Sequence, residues 1–378
     1  MVNFIEILKL KQILIIMKKL NLLIKEFNKA FIQSVDTRAF SVLILLLLFI
    51  NWGFKPPELH AQIEFAESDA SVAAVFNSSS DLGDYDQDGD LDLVVTGENT
   101  GSPGTTISKN SGNGSFEFLF STGITGLYEG AAKWADFDND DDLDLLITGK
   151  NFDDVPLTLI YENQGNDEFA DMEASLIGLT ESAADVADVD GDGDVDFIVS
   201  GEDENGDNHT ILYLNDGSAS FSASDQDFGI FDGGSAVFGD YDNDGDPDLF
   251  VNGFEGGASE RDARIFKNDG EGNFTDIQAG LKGANRSDRG AAWADVDGDD
   301  DLDLIYVGQA GQFPDTFAET LYYKNEGNDT FSKVDHDIVN VQSGTVSFGD
   351  VDDDGDLDLY LSGEREETGR DAGGIYEN

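Results

Sequence analysis

An aspartate ladder recurs six times in this chain, and every copy runs directly into an apolar strand. The copies read DYDQDGDLDLVV from Asp84, DFDNDDDLDLLI from Asp136, DVDGDGDVDFIV from Asp188, DYDNDGDPDLFV from Asp240, DVDGDDDLDLIY from Asp295 and DVDDDGDLDLYL from Asp350. Their starts are 52, 52, 52, 55 and 55 residues apart. A unit repeated at a period near 50 specifies one supersecondary element copied into a stacked or closed array, because no single copy can bury its own apolar face.

The ladder itself is metal chemistry. In the first copy, positions 1, 3, 5, 7 and 9 are Asp84, Asp86, Asp88, Asp90 and Asp92. The later copies keep all five: Asp136, Asp138, Asp140, Asp142, Asp144; Asp188, Asp190, Asp192, Asp194, Asp196; and Asp240, Asp242, Asp244, Asp246, Asp248. The last two are Asp295, Asp297, Asp299, Asp301, Asp303 and Asp350, Asp352, Asp354, Asp356, Asp358. Carboxylates at positions 1, 3, 5 and 9, with the backbone carbonyl of position 7, can wrap a hard cation, and a glycine at position 6 permits the sharp turn. Hard oxygen donors and high coordination number favour Ca²⁺, one per repeat and up to six in all; the lack of cysteine and of clustered histidine argues against zinc. Two copies carry Asp141 and Asp300 at position 6, where left-handed geometry costs a non-glycine residue about 1 kcal/mol. These two loops are expected to bind metal more weakly. An EF-hand does not fit. Its bidentate Glu at position 12 is replaced by Val95, Ile147, Val199, Val251, Tyr306 and Leu361, and a strand follows instead of a helix.

Aligned on the ladders, each repeat reads as four strands. Strand 1 precedes the ladder, with small residues one position back (Gly83, Ala135, Ala187, Gly239, Ala294, Gly349) and bulky ones two back (Leu82, Trp134, Val186, Phe238, Trp293, Phe348). Strand 2 follows the ladder, is apolar at both parities, and is predicted to end at a glycine, as in LDLVVTG and LDLYLSG. Strand 3 leads into an Asn-x-Gly hairpin, as in LIYENQG ending at Gly165. Strand 4 carries Phe116, Phe169, Phe221, Phe274 or Phe331, four residues after that glycine. Four strands per repeat of about 50 residues is a β-propeller blade, so the fold class is all-β. Phe65 lies where a strand 4 belongs, and the chain stops at the hairpin Asn378 of a strand 3. The expectation is six blades, the last closed by the N-terminal strand, or seven if the sequence is cut at Asn378.

Residues 1–61 read differently. They hold 8 of the 21 Lys and Arg but only 4 of the 79 Asp and Glu, and Ala39 to Ile50 form an apolar run behind a basic stretch. The run is too short for a membrane span, which needs about 20 residues. It suits an export signal cleaved after Ala61, leaving no stable membrane span. Met17-Lys18-Lys19 is the more natural start, so residues 1–16 are read as a mis-assigned beginning. Residues 62–378 then form the propeller, with 13 basic against 75 acidic residues. That charge repels nucleic acid and anionic membranes. Thirty-three of those acids lie in the six nine-residue loops, and 27 Phe in the whole chain supply a core.

Through its D-x-D-x-D-G-x-x-D-L segments, and Phe238-Gly239 and Phe348-Gly349, the sequence resembles the integrin-α-type FG-GAP or VCBS-like propeller repeats from about residue 62 to 378. The resemblance implies a calcium-binding β-propeller on a secreted or cell-surface protein, with ions in loops on one face and a ligand on the other. The family is functionally broad, and the first reading of the role is an adhesion or recognition module for a glycan or protein ligand. A calcium-rigidified spacer of a larger surface protein, or a propeller-based polysaccharide lyase or hydrolase, is the alternative.

Because strands alternate in direction, the ladders and the 3–4 hairpins share one face, while the variable 2–3 and 4–1 connections share the other, where recognition tends to sit. Most of those connections are acidic. One basic island stands out: Arg261, Lys282, Arg286 and Arg289, beside Phe254 and Phe313. It is a candidate site for an anionic polysaccharide or acidic protein segment. No catalytic constellation is recognisable, so the chain is not expected to be an enzyme. Beyond residue 61 only His209 and His336 remain, and H-E-x-x-H, G-x-S-x-G and P-loop patterns are lacking.

Overall fold

Each ladder occupies the turn between the first two strands of an antiparallel blade. The computed structural model describes residues 72–378, except 113–114, 120–121, 230, 256–260, 286–289, 313–314, 353 and 366–369. The predicted export segment, the start at Met17 and the N-terminal strand at Phe65 lie outside the described residues. Among those described, every regular element is a strand, and no helix is long and apolar enough to cross a membrane.

Blade 2 shows the pattern: Ala132–Ala135, Asp144–Lys150, Pro156–Asn163 and Phe169–Asp171, hydrogen-bonded in that order. The other five begin with strands Phe76–Gly83, Thr180–Ala187, Phe231–Asp232 together with Ala236–Gly239, Ala291–Ala294, and Gln342–Gly349. The first strands of successive blades contact one another from the first blade to the sixth, so they line a common axis and the six blades form a propeller. The sixth blade shows three strands among the described residues, ending with Arg370–Tyr376. In every complete blade the strand-3 Asn pairs with the strand-4 Phe, for example Asn163 with Phe169 and Asn325 with Phe331.

The small and bulky residues before the ladder turn out to be a lock between blades. A Cβ on Gly83 would lie 2.8 Å from the Trp134 ring of blade 2, and one on Gly239 would lie 2.5 Å from the Trp293 ring of blade 5. Each Trp stacks on the position-2 Tyr of the preceding ladder: Tyr85 with Trp134 at 5.6 Å and Tyr241 with Trp293 at 6.1 Å between centroids. Where the next blade brings the smaller Val186, the residue is Ala135, and both pack in one core cluster. Leu82 and Leu91 of the first blade and Tyr360 of the sixth are about half exposed. Tyr360's strand-2 counterparts, Leu146, Ile198 and Phe250, are fully buried.

The strand-2 glycines are not terminators, contrary to the sequence expectation. Strand 2 runs on past Gly97, Gly149, Gly201, Gly253, Gly308 and Gly363. Most of these glycines sit where the strand passes closest to the backbone at the start of strand 1. A Cβ would lie 2.4 Å from Tyr128 O at Gly149, 2.6 Å from Thr180 O at Gly201 and 2.9 Å from Gln342 O at Gly363.

Candidate metal centres and the opposite face

The loop backbone pre-shapes each ladder. Position 6 has φ between 72° and 98° in all six loops, at Gly89, Asp141, Gly193, Gly245, Asp300 and Gly355. Asp141 and Asp300 therefore hold the left-handed geometry that the sequence demands of a glycine. The position-6 N–H donates to the position-1 carboxylate at 3.0–3.1 Å in every loop, and the position-7 N–H donates to position 5.

Carboxylate oxygens of positions 1, 3 and 9 come within 4.8 Å of one another in the loops starting at Asp84, Asp136, Asp188 and Asp240. In the loop from Asp295 the converging residues are Asp295, Asp297 and Asp299. Buried oxygens of Asp86, Asp138 and Asp242, all at position 3, have no hydrogen-bond partner, nor has Oδ2 of Asp92. Gathered, buried, partnerless carboxylate oxygens are costly unless a cation compensates them. This donor set fits a hard divalent ion.

Position 9 does double duty. Its aspartate is buried in every blade, and its Oδ1 accepts the N–H of the strand-3 Asn at 2.7–3.1 Å in all six. Burial pushes the Asp92 carboxyl up to about 6, and those of Asp144, Asp196 and Asp248 up to about 7, with neighbouring ladder carboxylates adding to the rise. In blade 5 the Tyr322 hydroxyl donates to Asp303 Oδ2 at 2.9 Å.

Position 7 points elsewhere. The Asp90, Asp194 and Asp246 carboxylates lie where a Cβ on Gly112, Gly217 or Gly270 would stand, at 2.4–2.5 Å. The Asn-x-Gly glycine thus supplies space for this carboxylate as well as positive φ. That agrees with a position 7 that offers its carbonyl to metal, not its side chain.

Three contacts beyond the ladder went unread in the sequence. The sequence marks the strand-3 Asn as a turn former, yet its Nδ2 reaches back to the preceding blade's ladder. Asn163 donates to Tyr85 O at 2.9 Å, Asn215 to Phe137 O and Asn268 to Val189 O at 2.8 Å, and Asn325 to Tyr241 O at 2.7 Å. An Asn in every repeat, where turn chemistry would also admit Asp or Gly, was the available signal. The position-4 amides form a second link: Gln87 donates to Asp142, Asn139 to Asp194 and Asn243 to Asp301, each at position 7 of the next loop. The third is a lysine just before the strand-3 Asn. Lys109 pairs with Asp86, Lys267 with Asp242 and Asp244, and Lys324 with Asp297 and Asp299.

On the opposite face, a cavity of about 840 Å³ opens on the axis. Residues seven positions before five of the ladders line it, and all have positive φ: Asn77 50°, Glu129 55°, Glu181 46°, Gly233 58° and Ser343 48°. No compositional pattern marks this ring, because five different contexts share only a backbone conformation. Glu129 receives Lys150 Nζ at 3.1 Å.

The basic island is partly spent on packing. The Arg261 guanidinium donates to Asn285 Oδ1 at 2.5 Å and to Gly311 O and Gln309 Oε1 at 2.6 Å, lying over the Phe254 ring at 4.8 Å. Lys282 pairs with Glu319 and lies over the Phe317 ring. Arg286, Arg289 and Phe313 lie outside the described residues. Of the two histidines beyond residue 61, His209 bonds Asp203 at 3.2 Å within its own loop, and His336 bonds Thr320 O at 3.0 Å.

Residues 84–147 and 188–251 match the FG-GAP-like repeat family. No curated protein sequence matches the chain. Among solved structures it is similar to a point mutant of Aleuria aurantia lectin in complex with α-methyl-L-fucoside, at 11% identity and a TM-score of 0.45, covering 79% of this chain and 94% of that one. The same lectin mutant in complex with Fucα1-6GlcNAc gives 10% identity and a TM-score of 0.42 over 79% and 94%. A thermostable family-43 glycoside hydrolase gives 8% identity and a TM-score of 0.36 over 71% and 95%.

Proposed function

This chain is an FG-GAP-repeat β-propeller, and from that premise we propose that it is a secreted or cell-surface recognition module rigidified by calcium. One observation carries the reading: buried, partnerless carboxylate oxygens at the same ladder position in three loops, aimed into clusters of gathered acids. Asp84, Asp86, Asp88 and Asp92, with the carbonyl of Asp90, would hold the first ion, and the matching residues of the other loops would hold theirs. The ion supplies charge neutralisation. Every ladder also holds strand 3 through the Asp92–Asn110 type of bond, and most touch the next blade, so an ion that orders one loop stiffens a blade junction.

Calcium committed to one face leaves recognition to the other. The axial cavity there is lined by Asn77, Glu129, Glu181 and Glu364, acceptors suited to the hydroxyls of a neutral glycan or the amines of a protein segment. Left-handed non-glycine residues cost about 1–3 kcal/mol each and gather at sites where geometry is used. An anionic ligand would instead take the basic island of the sequence, Arg261, Lys282, Arg286 and Arg289 with Phe254 and Phe313. We propose no catalytic step.

A glycan array probed with calcium and with chelator tests the reading. Calcium-dependent binding of neutral glycans, lost on Glu181→Ala, is expected. Retention of a bound acidic glycan after Arg286 and Arg289 are reversed to Glu would remove the basic island from the reading. No glycan or protein ligand under any condition would favour a spacer, and turnover of a polysaccharide would favour an enzyme.

A further inference from the structure

The six ladders look alike in sequence, but one neighbouring residue divides them. In every blade the strand-3 Asn N–H is bonded to the position-9 carboxylate, at 2.7–3.1 Å. The residue just before that Asn therefore occupies the same place relative to the ladder six times. Its identities are Lys109, Glu162, Leu214, Lys267, Lys324 and Glu377. The three lysines reach the position-3 carboxylate in their loops, and two of them also reach position 5, at 3.3 Å for Lys267 to Asp244 and 3.0 Å for Lys324 to Asp299. Those are metal-ligand positions. Glu162 and Glu377 hold the same register place as the lysines, each just before an Asn whose N–H is bonded to the position-9 carboxylate of its own ladder, Asp144 or Asp358.

We infer that the residue before the hairpin Asn sets the calcium affinity of each loop, so that blades 2 and 6 hold calcium most tightly, blade 3 is intermediate, and blades 1, 4 and 5 hold it weakly behind a built-in lysine counter-ion; Asp141 already stands at φ 73° in the folded loop of blade 2, so its strain is not a cost of binding, contrary to the sequence expectation. This rests on the calcium reading of the ladders. The physical ground is direct: an ammonium paired with a ligand carboxylate must be displaced and then left beside a doubly charged ion, whereas a carboxylate in its place attracts that ion. Lysine suits the exchangeable role, being a point charge on a flexible stem that can swing to solvent. Blade 5 departs furthest. It has Lys324 across two ladder carboxylates and Tyr322 donating to Asp303. Its loop is organised to stand without an ion. The consequence is a graded propeller, in which falling calcium empties blades 1, 4 and 5 while blades 2, 3 and 6 stay ordered.

Calcium titration of the full chain by calorimetry and equilibrium dialysis tests this, with Lys324→Gln, Lys109→Gln, Glu162→Lys and Leu214→Lys as variants of partly exposed positions. The wild type is expected to bind about three ions in a tighter class and the rest about tenfold or more weaker. Each Lys→Gln change should move one ion into the tighter class, and Glu162→Lys and Leu214→Lys should each remove one. Six equivalent sites, or variants that leave the class sizes unchanged, would overturn the inference while leaving the calcium reading intact. No calcium bound by the wild type would overturn both.

Discussion

Removing the Asn163 side chain should be among the most damaging single changes in the propeller that leave the ladders untouched. Asn163 is 4% exposed, and its amide makes three bonds: Nδ2 to Tyr85 O in the preceding blade at 2.9 Å, Nδ2 to Leu143 O at 3.2 Å, and Oδ1 from Gly165 N at 3.0 Å. Asn163→Ala deletes all three and strands two carbonyls in a place closed to water. Each lost bond is worth about 0.5–1.5 kcal/mol net, and each buried group left unsatisfied costs about 1–3 kcal/mol, so a loss of about 3–5 kcal/mol is expected. Asn110 is the internal control, since its amide bonds Leu91 O and Gly112 N within its own blade. Asn110→Ala should cost about 1–2 kcal/mol on the same scale. Asn163→Asp should be worse than Ala, because it turns a donor pair into a carboxylate facing two carbonyls. Denaturant unfolding in chelator, followed by the fluorescence of Trp134 in the same junction, reads the difference. Equal losses for Asn163→Ala and Asn110→Ala, or a loss under about 1 kcal/mol for the first, would refute the blade-to-blade staple.

Gly239→Ala should lower the melting temperature sharply, since its Cβ would meet the Trp293 ring at 2.5 Å; Trp293→Val should recover part of the loss, copying the natural Ala135–Val186 pair. Tyr85→Phe removes a hydroxyl bonded to Asp167 at 2.6 Å and should cost about 1.5–3 kcal/mol, the range for bonds to charged acceptors, read by the same unfolding curves. The metal-free protein should lose stability as pH rises from about 4 to 7. The folded position-9 carboxyls sit at about 6 to 7, above their unfolded value of 3.8, so the folded state holds more protons in that window and ionisation favours unfolding. Thermal melts in chelator at pH 5 and pH 8 check the direction, and saturating calcium should reverse it.

The ladder made the architecture legible because it marks one fixed point in every repeat. With strand 1 ending just before it and strand 2 starting at position 9, strand order and direction within each blade follow, while the choice between six and seven blades does not. The Gly83–Trp134 and Gly239–Trp293 locks were visible as small and bulky residues, but not as pairs, because partners 51 and 54 positions apart meet only once blades are placed side by side. The reach of Asn163 to Tyr85 O was hidden for the same reason: local turn chemistry explained the residue fully, so nothing called for a second role. In the sequence Arg261 stands out only as part of a basic island, because charge alone says nothing of Asn285, Gln309 and Gly311 converging on it. The strand-2 glycines were misread as ends, since a close backbone approach and a terminator leave the same residue in the sequence.

Calcium is the claim on which the rest depends, and the melting temperature of the full chain with 10 mM calcium and after chelation tests it most directly. An ion bound only by the folded state adds RT ln(1 + [L]/Kd), about 1.4–2.7 kcal/mol per site for Kd of about 10⁻³ to 10⁻⁴ M. Several such sites should raise the melting temperature by about 15 °C or more in a domain of this size. An unchanged melting temperature would mean that the six ladders hold their shape without an ion, and the account of them as metal centres would be wrong.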